Sequence, residues 1–262
     1  MAFEKIIYEK QNRIATITFN RPDAMNTLDR VMFTEVGEAL DDAEKDNEVR
    51  VVVIAAKGRA FCAGMDLNFA GKELDNLGTQ WDMFRLGKKS LLGRMEDLTK
   101  PIIAAVNGYA LAGGFEILMA VDFVIAAEDA QLGDQHMKVG LFGAGGSPYR
   151  LPLLIGLRKA KELVLTGKRI TGKEAEAIGL VNKAVPSEEL DKAVYELASE
   201  LAERSPVTMM VTKTFMNRVG LVDADAKLEM AMLSALVVNS SEDYEEALNA
   251  FKEKRKPVFK GR

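Results

Sequence analysis

The sequence predicts an α/β protein with a largely parallel sheet, followed by a helical C-terminal segment. Short apolar runs rich in β-branched residues lie at 13–19, 49–56, 101–106 and 122–127, and they predict strands. The run VRVVVIAA (49–56) is apolar apart from its arginine, as expected of a strand buried on both faces of a parallel sheet. A helical pattern separates the first two runs, which indicates β-α units.

The helix between these first two strands has a clear start. Asp29 is a suitable N-cap, since its side chain can accept a hydrogen bond from an N–H group of the first turn. The residues that follow form one apolar stripe, made of Met32, Phe33, Val36 and Leu40.

The second half of the chain is mostly helical in its pattern. The segment 170–180 has a capping box formed by Thr171 and Glu174, and Gly179 is its expected stop. A long amphipathic helix closed by Pro206 is predicted over 187–206, and further helices over 207–220, 223–238 and 241–256. The composition changes near residue 200, so we expect two units, 1–200 and 201–262.

The composition is that of a globular protein and argues against several function classes. The chain is 48% hydrophobic and 28% charged, and its net charge of −4 disfavours nucleic-acid binding. A single cysteine, Cys62, excludes an internal disulfide and a cysteine-based zinc site, and it favours a reducing cytoplasm. The start, MAFEKIIYEK, lacks the apolar run of a signal peptide, and no run approaches the roughly 18 apolar residues of a membrane span. We therefore expect a cytoplasmic protein with no metal and no membrane or nucleic-acid partner.

Two glycine-containing stretches follow predicted strands. In GRAFCAGMDL (58–67), small residues allow a tight turn that can aim backbone N–H groups at a ligand, and a plain turn is the alternative. In VNGYALAGGFEILMAVD (106–122), Gly113–Gly114 opens a helix with Glu116 in its first turn. N–H groups at a helix start bind anionic oxygen, and the carboxylate beside them either transfers protons or only complements the helix dipole.

A third stretch, GDQHMKVGLFGAGG (133–146), holds the only histidine, His136. Its glycines do not make a P-loop, which needs a Lys-Ser/Thr pair, or a dinucleotide fingerprint, because Pro148 takes the sixth position. There is no G-x-S-x-G elbow, and a single histidine excludes H-E-x-x-H. A lone histidine is more often structural than functional, so this stretch by itself leaves both interpretations open.

In their order and spacing, these stretches resemble the crotonase superfamily, also called the enoyl-CoA hydratase/isomerase family. The resemblance runs nearly end to end. Besides 58–67, it includes RPDAMNTLD (21–29), KPIIAAVNGYALAGGFE (100–116), QLGDQHMKVGLFGAGGSPYRLPLLIG (131–156), TGKRITGKEAEAIGLVNKAVP (166–186) and ALNAFKEKRKPVFKGR (247–262). It implies a crotonase-type ββα spiral core with a C-terminal helical oligomerisation segment, and a homotrimer or hexamer. It also implies an acyl-CoA thioester substrate and no cofactor besides the coenzyme A of that thioester.

The resemblance implies roles for individual residues. The backbone N–H groups of Met65 and Gly113 are expected to form an oxyanion hole for the thioester carbonyl, on which enolate charge develops. The residues expected to contact CoA are Ala24, Asn26, Ala63, Asp66 and Leu67, with Phe251 and Lys254 reaching the CoA of a neighbouring subunit. For the lysines of this tail, a solvated helix end is the alternative.

The catalytic pair departs from the family pattern. Hydratases of the family place one glutamate at the position of Glu116 and a second at the position of His136. An imidazole with its ordinary pKa of ~6.5 also exchanges protons near neutrality, so we expect Glu116 and His136 to share proton transfer. Either Asp134 or Gln135 can orient the ring. Cys62 is expected to be a small buried side chain without a catalytic part.

The resulting functional prediction is the addition of water to a 2-enoyl-CoA, a lyase reaction of acyl-CoA and fatty acid metabolism. Isomerisation of the double bond by a single base remains open, as do decarboxylation and thioester hydrolysis, because all use the same enolate-stabilising pocket. The loss of the second glutamate weakens hydration relative to these. A non-catalytic CoA-ester binding protein is the alternative from another class.

Overall fold

The computed structural model describes residues 3–66, 91–143, 145–219, 237 and 239–262, without the side chains of 219, 251 and 252. Within them, six strands pair side by side in the order β1 (Ile6–Gln11), β2 (Ile14–Phe19), β3 (Val51–Ala56), β5 (Ile102–Val106), β7 (Phe123–Ala127) and β10 (Lys183–Val185). A smaller sheet has the order β4 (Ala60–Cys62), β6 (Tyr109–Leu111), β8 (Gln131–Gly133) and β9 (Ile170–Thr171). The pairs β1–β2 and β8–β9 are antiparallel and the other pairs are parallel.

The described helices lie between and after these strands. They are α1 (Arg30–Lys45), α2 (Leu91–Asp97), α3 (Gly113–Leu118), α4 (Ser147–Ile155), α5 (Leu157–Thr166), α6 (Gly172–Ala177), α7 (Leu190–Ala202), α8 (Pro206–Val219) and α9 (Glu242–Glu253). Short 3₁₀ turns occur at Pro22–Ala24, His136–Val139 and Ser187–Glu189. Within the described ranges, no helix is long and apolar enough to cross a membrane.

The chain moves repeatedly from the larger sheet to the smaller one. Strand β3 is followed by β4, β5 by β6 and β7 by β8, so each turn adds one strand to each sheet. This is the ββα spiral that the resemblance implied, and the helical C-terminal segment is also present. The loops that leave β4 and β6 therefore lie side by side, because these two strands are parallel neighbours.

Both faces of the central strands β3 and β5 are largely buried, which explains their apolar sequences. Along β3, Val52 and Ile54 belong to the main core with α1, whereas Val51 and Val53 pack in a second cluster with residues of α7. Each fully buried side chain of this size contributes about 1.5–3 kcal/mol relative to an exposed one. The sheet is thus a stable base for the loops at its edge.

The local predictions can be compared with the observed elements. The Asp29 side chain accepts a hydrogen bond from the Met32 N–H at the start of α1, and the capping box of Thr171 and Glu174 opens α6, as predicted. The long helix predicted over 187–206 is shorter: a 3₁₀ turn precedes α7, and Pro206 begins α8 instead of closing α7. Proline suits a first helical position because its missing N–H has no helical partner there. The helix predicted over 223–238 falls almost entirely outside the described residues, and the boundary at residue 200 stays a prediction.

Candidate active site

Two loops are joined by backbone hydrogen bonds beside the smaller sheet. The Ala63 N–H donates to the Met25 carbonyl at 3.0 Å, and the Leu28 N–H donates to the Gly64 carbonyl at 2.8 Å. The Asp66 N–H then donates to the Leu28 carbonyl at 2.9 Å, which makes a short parallel bridge between Leu28 and Met65. The segment 24–28 is thereby fixed against the loop that follows β4.

Side chains hold the same two loops in place. Asn26 is fully buried, accepts a hydrogen bond from the Arg21 N–H and donates to the carbonyls of Lys57 and Ala60. The Arg21 guanidinium donates to the Asp66 carboxylate at 2.8 Å. The side chains of Asn26 and Asp66 thus have a structural part in this region, and their contact with CoA stays a prediction.

The loop after β4 and the start of α3 lie next to each other. A methyl carbon built on Gly64 would be 3.1 Å from the Gly113 nitrogen, and one built on Gly113 would be 3.6 Å from the Met65 nitrogen. Within the described part of the chain, neither of these two N–H groups donates a hydrogen bond. The two predicted oxyanion-hole donors are therefore neighbours, and their N–H groups have no acceptor in the described ranges.

The backbone around these donors is shaped by glycine and by strain. Gly64 has a φ of +102°, a conformation that side chains disfavour. Ala112, just before α3, has a φ of +47° although it is not glycine, a conformation that costs about 1–3 kcal/mol and clusters at functional sites. A methyl carbon on Gly114 would lie 2.7 Å from the Cys62 carbonyl carbon, so only glycine allows α3 to approach β4 this closely.

Glu116 lies in the first turn of α3 and is only 5% exposed. Its Oε1 accepts a hydrogen bond from the Ser147 N–H at 3.3 Å. Burial raises the pKa of the Glu116 carboxyl above its usual range, and the charge of His136 and the N–H groups of Ser147 and Gly146 offset only part of this effect. A carboxyl group with a raised pKa is suited to taking up and returning a proton near neutral pH.

His136 begins the 3₁₀ turn after β8, and its side chain is 16% exposed. Its Nδ1 lies 3.0 Å from Asp134 Oδ1. Burial alone would lower the pKa of His136, but the hydrogen bond and charge of Asp134, together with the charge of Glu116, outweigh burial and raise the pKa. Asp134 has the opposite balance: burial acts to raise its pKa, and the hydrogen bonds and charge of His136 lower it overall.

These three groups converge on one glycine. A methyl carbon built on Gly143 would lie 3.0 Å from Asp134 Oδ2, 3.1 Å from His136 Nδ1 and 3.2 Å from Glu116 Oε1. The strand β8, the helix α3 and the loop before α4 thus bring a carboxylate, an imidazole and a second carboxylate to the same place. The arrangement combines a proton acceptor and a proton donor in a largely buried site.

The other predicted residues are distributed as follows. Ala24 and Ala63 are half-buried in the two joined loops. Leu67 lies outside the described residues, and the side chain of Phe251 is not among the described ones. Lys254 follows α9 with a φ of +53° and is exposed. Its contact with the CoA of a neighbouring subunit, like the catalytic and oxyanion-hole assignments, stays a prediction.

Cys62 agrees with its expected passive character. The side chain is fully buried in β4, and burial raises the pKa of its thiol to about 12. Its Sγ accepts a hydrogen bond from the Gly64 N–H at 3.4 Å, which helps to fix the loop.

Sequence reasoning missed two parts of the site. It did not assign the Ser147 N–H that binds Glu116, or the close packing of Gly145 against the Glu116 carboxyl group. The glycine cluster just before Ser147 was the only signal for either, since close backbone approach is a common reason for glycine.

Comparison with known proteins identifies the family of the chain. Residues 9–262 match the model of the family described as enoyl-CoA hydratase/isomerase. The chain belongs to this family. A short-chain-enoyl-CoA hydratase of Clostridium acetobutylicum is 36% identical over 98% of this chain and 97% of its own length, and a crotonyl-CoA hydratase of Syntrophomonas wolfei is 35% identical over 99% of both chains.

A solved structure gives the same result for the fold. The crystal structure of an enoyl-CoA hydratase from Bacillus anthracis superimposes with a TM-score of 0.92 at 34% identity, covering 99% of this chain and 100% of that one. Membership of the enoyl-CoA hydratase/isomerase family confirms the resemblance seen in the sequence and the crotonase-type fold. It also confirms that the protein is an enzyme of the family's lyase type that processes acyl-CoA thioesters.

Proposed function

We propose that the protein adds water to the double bond of a 2-enoyl-CoA, with Glu116 and His136 exchanging the protons. The observation that carries this proposal is the convergence of the two side chains on Gly143. The neighbouring loops of this site present the N–H groups of Met65 and Gly113, which donate to no acceptor among the described residues. A hydration needs these parts: a base for water, an acid for carbon, and donors for the charge on the thioester oxygen.

The reaction can be written so that every proton is accounted for. The Glu116 carboxylate takes a proton from water while the water oxygen bonds to the β-carbon. The electrons of the double bond move onto the thioester oxygen as an enolate, which the two N–H groups stabilise by ~3–4 kcal/mol each. The enolate then takes a proton at its α-carbon from the His136 imidazolium. A proton passing from Glu116 to His136 restores the starting state.

The electrostatics support this division of roles. The pKa of His136 is raised by Asp134 and Glu116 despite its burial, so the imidazolium persists toward neutral pH and can act as the acid. The pKa of Glu116 is raised mainly by burial, so its carboxylate is a stronger base than an exposed one. In the reverse direction, dehydration, the two groups exchange these roles.

Isomerisation of the double bond is the second candidate, and the departure at His136 favours it. A single base that moves a proton between two carbons needs only one of the two groups together with the same oxyanion hole. The two reactions are separated by their products, because only hydration incorporates solvent oxygen into the thioester.

We further infer that the protein self-associates as a trimer or hexamer, that it acts in the cytoplasm, and that it uses no cofactor beyond the CoA of its substrate. Large apolar side chains support self-association: Phe142 is 74% exposed and Leu153 is 84% exposed in the single chain. Sedimentation of the purified protein at micromolar concentration tests this, and a monomer would contradict it.

The activity is tested with a series of 2-enoyl-CoA thioesters of increasing chain length, by following the loss of the conjugated thioester absorbance. Wild-type protein is expected to turn over at least one member, and Glu116→Gln is expected to lose at least ~10²-fold in kcat, the usual contribution of a positioned acid or base. Glu116→Gln with wild-type turnover on every substrate would contradict the proposal. Binding of the thioesters without turnover by wild type would indicate a binding protein instead.

A further inference from the structure

The Asp134 carboxylate holds the ring of His136 through a single oxygen atom. Asp134 Oδ1 accepts a hydrogen bond from the His136 backbone N–H at 2.9 Å and lies 3.0 Å from His136 Nδ1. The carboxylate therefore contacts both the main-chain N–H and the ring Nδ1 of the same residue. This double contact fixes the ring plane relative to the end of β8.

The contact also decides which ring nitrogen carries a proton. An ionised carboxylate only accepts hydrogen bonds, so the nitrogen facing it must be Nδ1–H. In the neutral imidazole, the lone pair is then on Nε2, and in the imidazolium Nε2–H is the proton that is free to leave. Asp134 is ionised in this setting, because its hydrogen bonds from His136 keep its pKa below the usual value despite burial.

Asp134 is itself held firmly enough to set this geometry. It is 1% exposed and directly follows Gly133, the last residue of β8. Its second oxygen, Oδ2, has no hydrogen-bond partner among the described residues, and neither does the nearby Ser147 Oγ. A buried carboxylate with one unpaired oxygen, and with its other oxygen bound only to one histidine, destabilises the folded state. Its presence therefore points to a part in function.

The other residue able to orient the ring is engaged elsewhere. The Gln135 side chain donates to the Gly167 carbonyl at 2.8 Å and accepts from the Arg169 guanidinium at 3.2 Å. Both partners belong to the segment between α5 and β9. Gln135 therefore ties this segment to the site, and the orientation of the ring depends on Asp134.

We propose that Asp134 is a positioning residue that holds His136 in the Nδ1–H form and leaves Nε2 as the atom that exchanges the proton with the acyl group. This inference rests on the proposed function for its last step only. The placement of the proton on the ring follows from the contact itself, so the two can be tested separately.

The first test is spectroscopic and benefits from the chain having one histidine. Protein grown with isotope-labelled histidine gives a single set of ring-nitrogen signals, which need no assignment. In the full-length protein without substrate, the neutral ring is expected to be protonated at Nδ1 and not at Nε2. A neutral ring protonated at Nε2 would overturn the inference, and this measurement needs no variant to fold.

The second test uses Asp134→Asn, which keeps the shape of the side chain and removes its charge. Among the described residues, the carboxylates that face His136 are those of Asp134 and Glu116. Removing one should lower the titration midpoint of the ring and allow the Nε2–H form to appear. The kcat for hydration is expected to fall roughly 10²-fold with little change in KM, because the ring no longer presents the correct nitrogen. Unchanged ring signals and unchanged kcat in this variant would overturn the inference.

A matched control is Glu128→Gln, which neutralises an exposed carboxylate just before β8. It is expected to leave the ring signals, the kcat and the KM unchanged. If the wild-type ring is protonated at Nδ1 but no 2-enoyl-CoA is hydrated, the proposed function fails while the placement of the proton stands. The failures of the two proposals are thus distinguishable.

Discussion

The substitution Gly145→Ala tests how closely activity depends on the position of the Glu116 carboxyl group. A methyl carbon built on Gly145 would lie 2.7 Å from Glu116 Cδ and closer still to Oε2, and 3.0 Å from Leu92 Cδ1. Gly145 is not among the described residues with a positive φ, so Gly145→Ala brings no backbone strain of that kind. The substitution therefore acts mainly on the carboxyl group, with a smaller displacement of the Leu92 side chain.

The size of the effect follows from the overlap. Carbon atoms in contact are ~3.5–4.0 Å apart, so the Glu116 carboxyl group must move by about 1 Å to admit the methyl group. Such a shift also breaks or weakens its hydrogen bond from the Ser147 N–H. A displacement of ~1 Å in a reacting group costs up to ~10² in rate, and we expect a loss of that order in kcat.

The assay is steady-state hydration of the best 2-enoyl-CoA by wild type, Gly145→Ala, Glu116→Ala and the double variant. Because Glu116→Ala removes the atoms that the new methyl group would strike, Gly145→Ala should have almost no effect in that background. Equal losses from Gly145→Ala with and without the Glu116 side chain would refute the reasoning, and so would wild-type kcat in the single variant. Circular dichroism of all four proteins establishes that the fold is retained.

Three further predictions concern the neighbouring residues. Met65→Ala should keep nearly wild-type kcat because only its N–H is used. Gly64→Ala should lose ~10²–10³-fold in kcat, because Gly64 has a φ of +102° and the new methyl would lie 3.1 Å from the Gly113 nitrogen. Similar kcat values for the two variants would contradict the oxyanion-hole assignment. Glu116→Gln should raise the melting temperature above neutral pH. The folded-state pKa of Glu116 is raised, so ionisation of the buried carboxyl destabilises the fold as the pH rises through that pKa. The gain in melting temperature should vanish in acid, and a lower melting temperature of the variant at high pH would contradict the prediction. Cys62, with a thiol pKa of about 12 and full burial, should react with a maleimide only after denaturation; rapid labelling of the native protein would be inconsistent with its burial.

The sequence was sufficient for the parts of the fold that depend on local chemistry. The cap at Asp29, the capping box at Thr171 and the four apolar runs act over a few residues, and they predicted α1, α6 and the strands β2, β3, β5 and β7. The strands of the smaller sheet are two or three residues long, too short for an apolar period to be recognised. Their existence depends on pairing partners distant in the chain.

The site divides in the same way. Glycine loops and an acidic residue at a helix start made Gly64, Gly113 and Glu116 candidates, and the family resemblance implied the roles of Met65, Gly113 and Glu116. The choice between Asp134 and Gln135 could not be made from the sequence, since Gln135 is engaged by the carbonyl of Gly167 and by Arg169, more than thirty residues further on. Similarly, the Ser147 N–H that binds Glu116 is 31 residues away from it.

The most direct test of the central claim is an incubation of the protein with crotonyl-CoA in heavy-oxygen water, followed by mass spectrometry of the thioester. For wild type, we predict a hydrated product that carries one solvent oxygen, and for Glu116→Gln and His136→Ala we predict almost none. The product of uncatalysed hydration is measured in a no-enzyme control and subtracted. Labelled product at the wild-type rate from His136→Ala would contradict the proton exchange by the imidazole. No labelled product from wild type, on this and on longer enoyl thioesters, would contradict hydration itself.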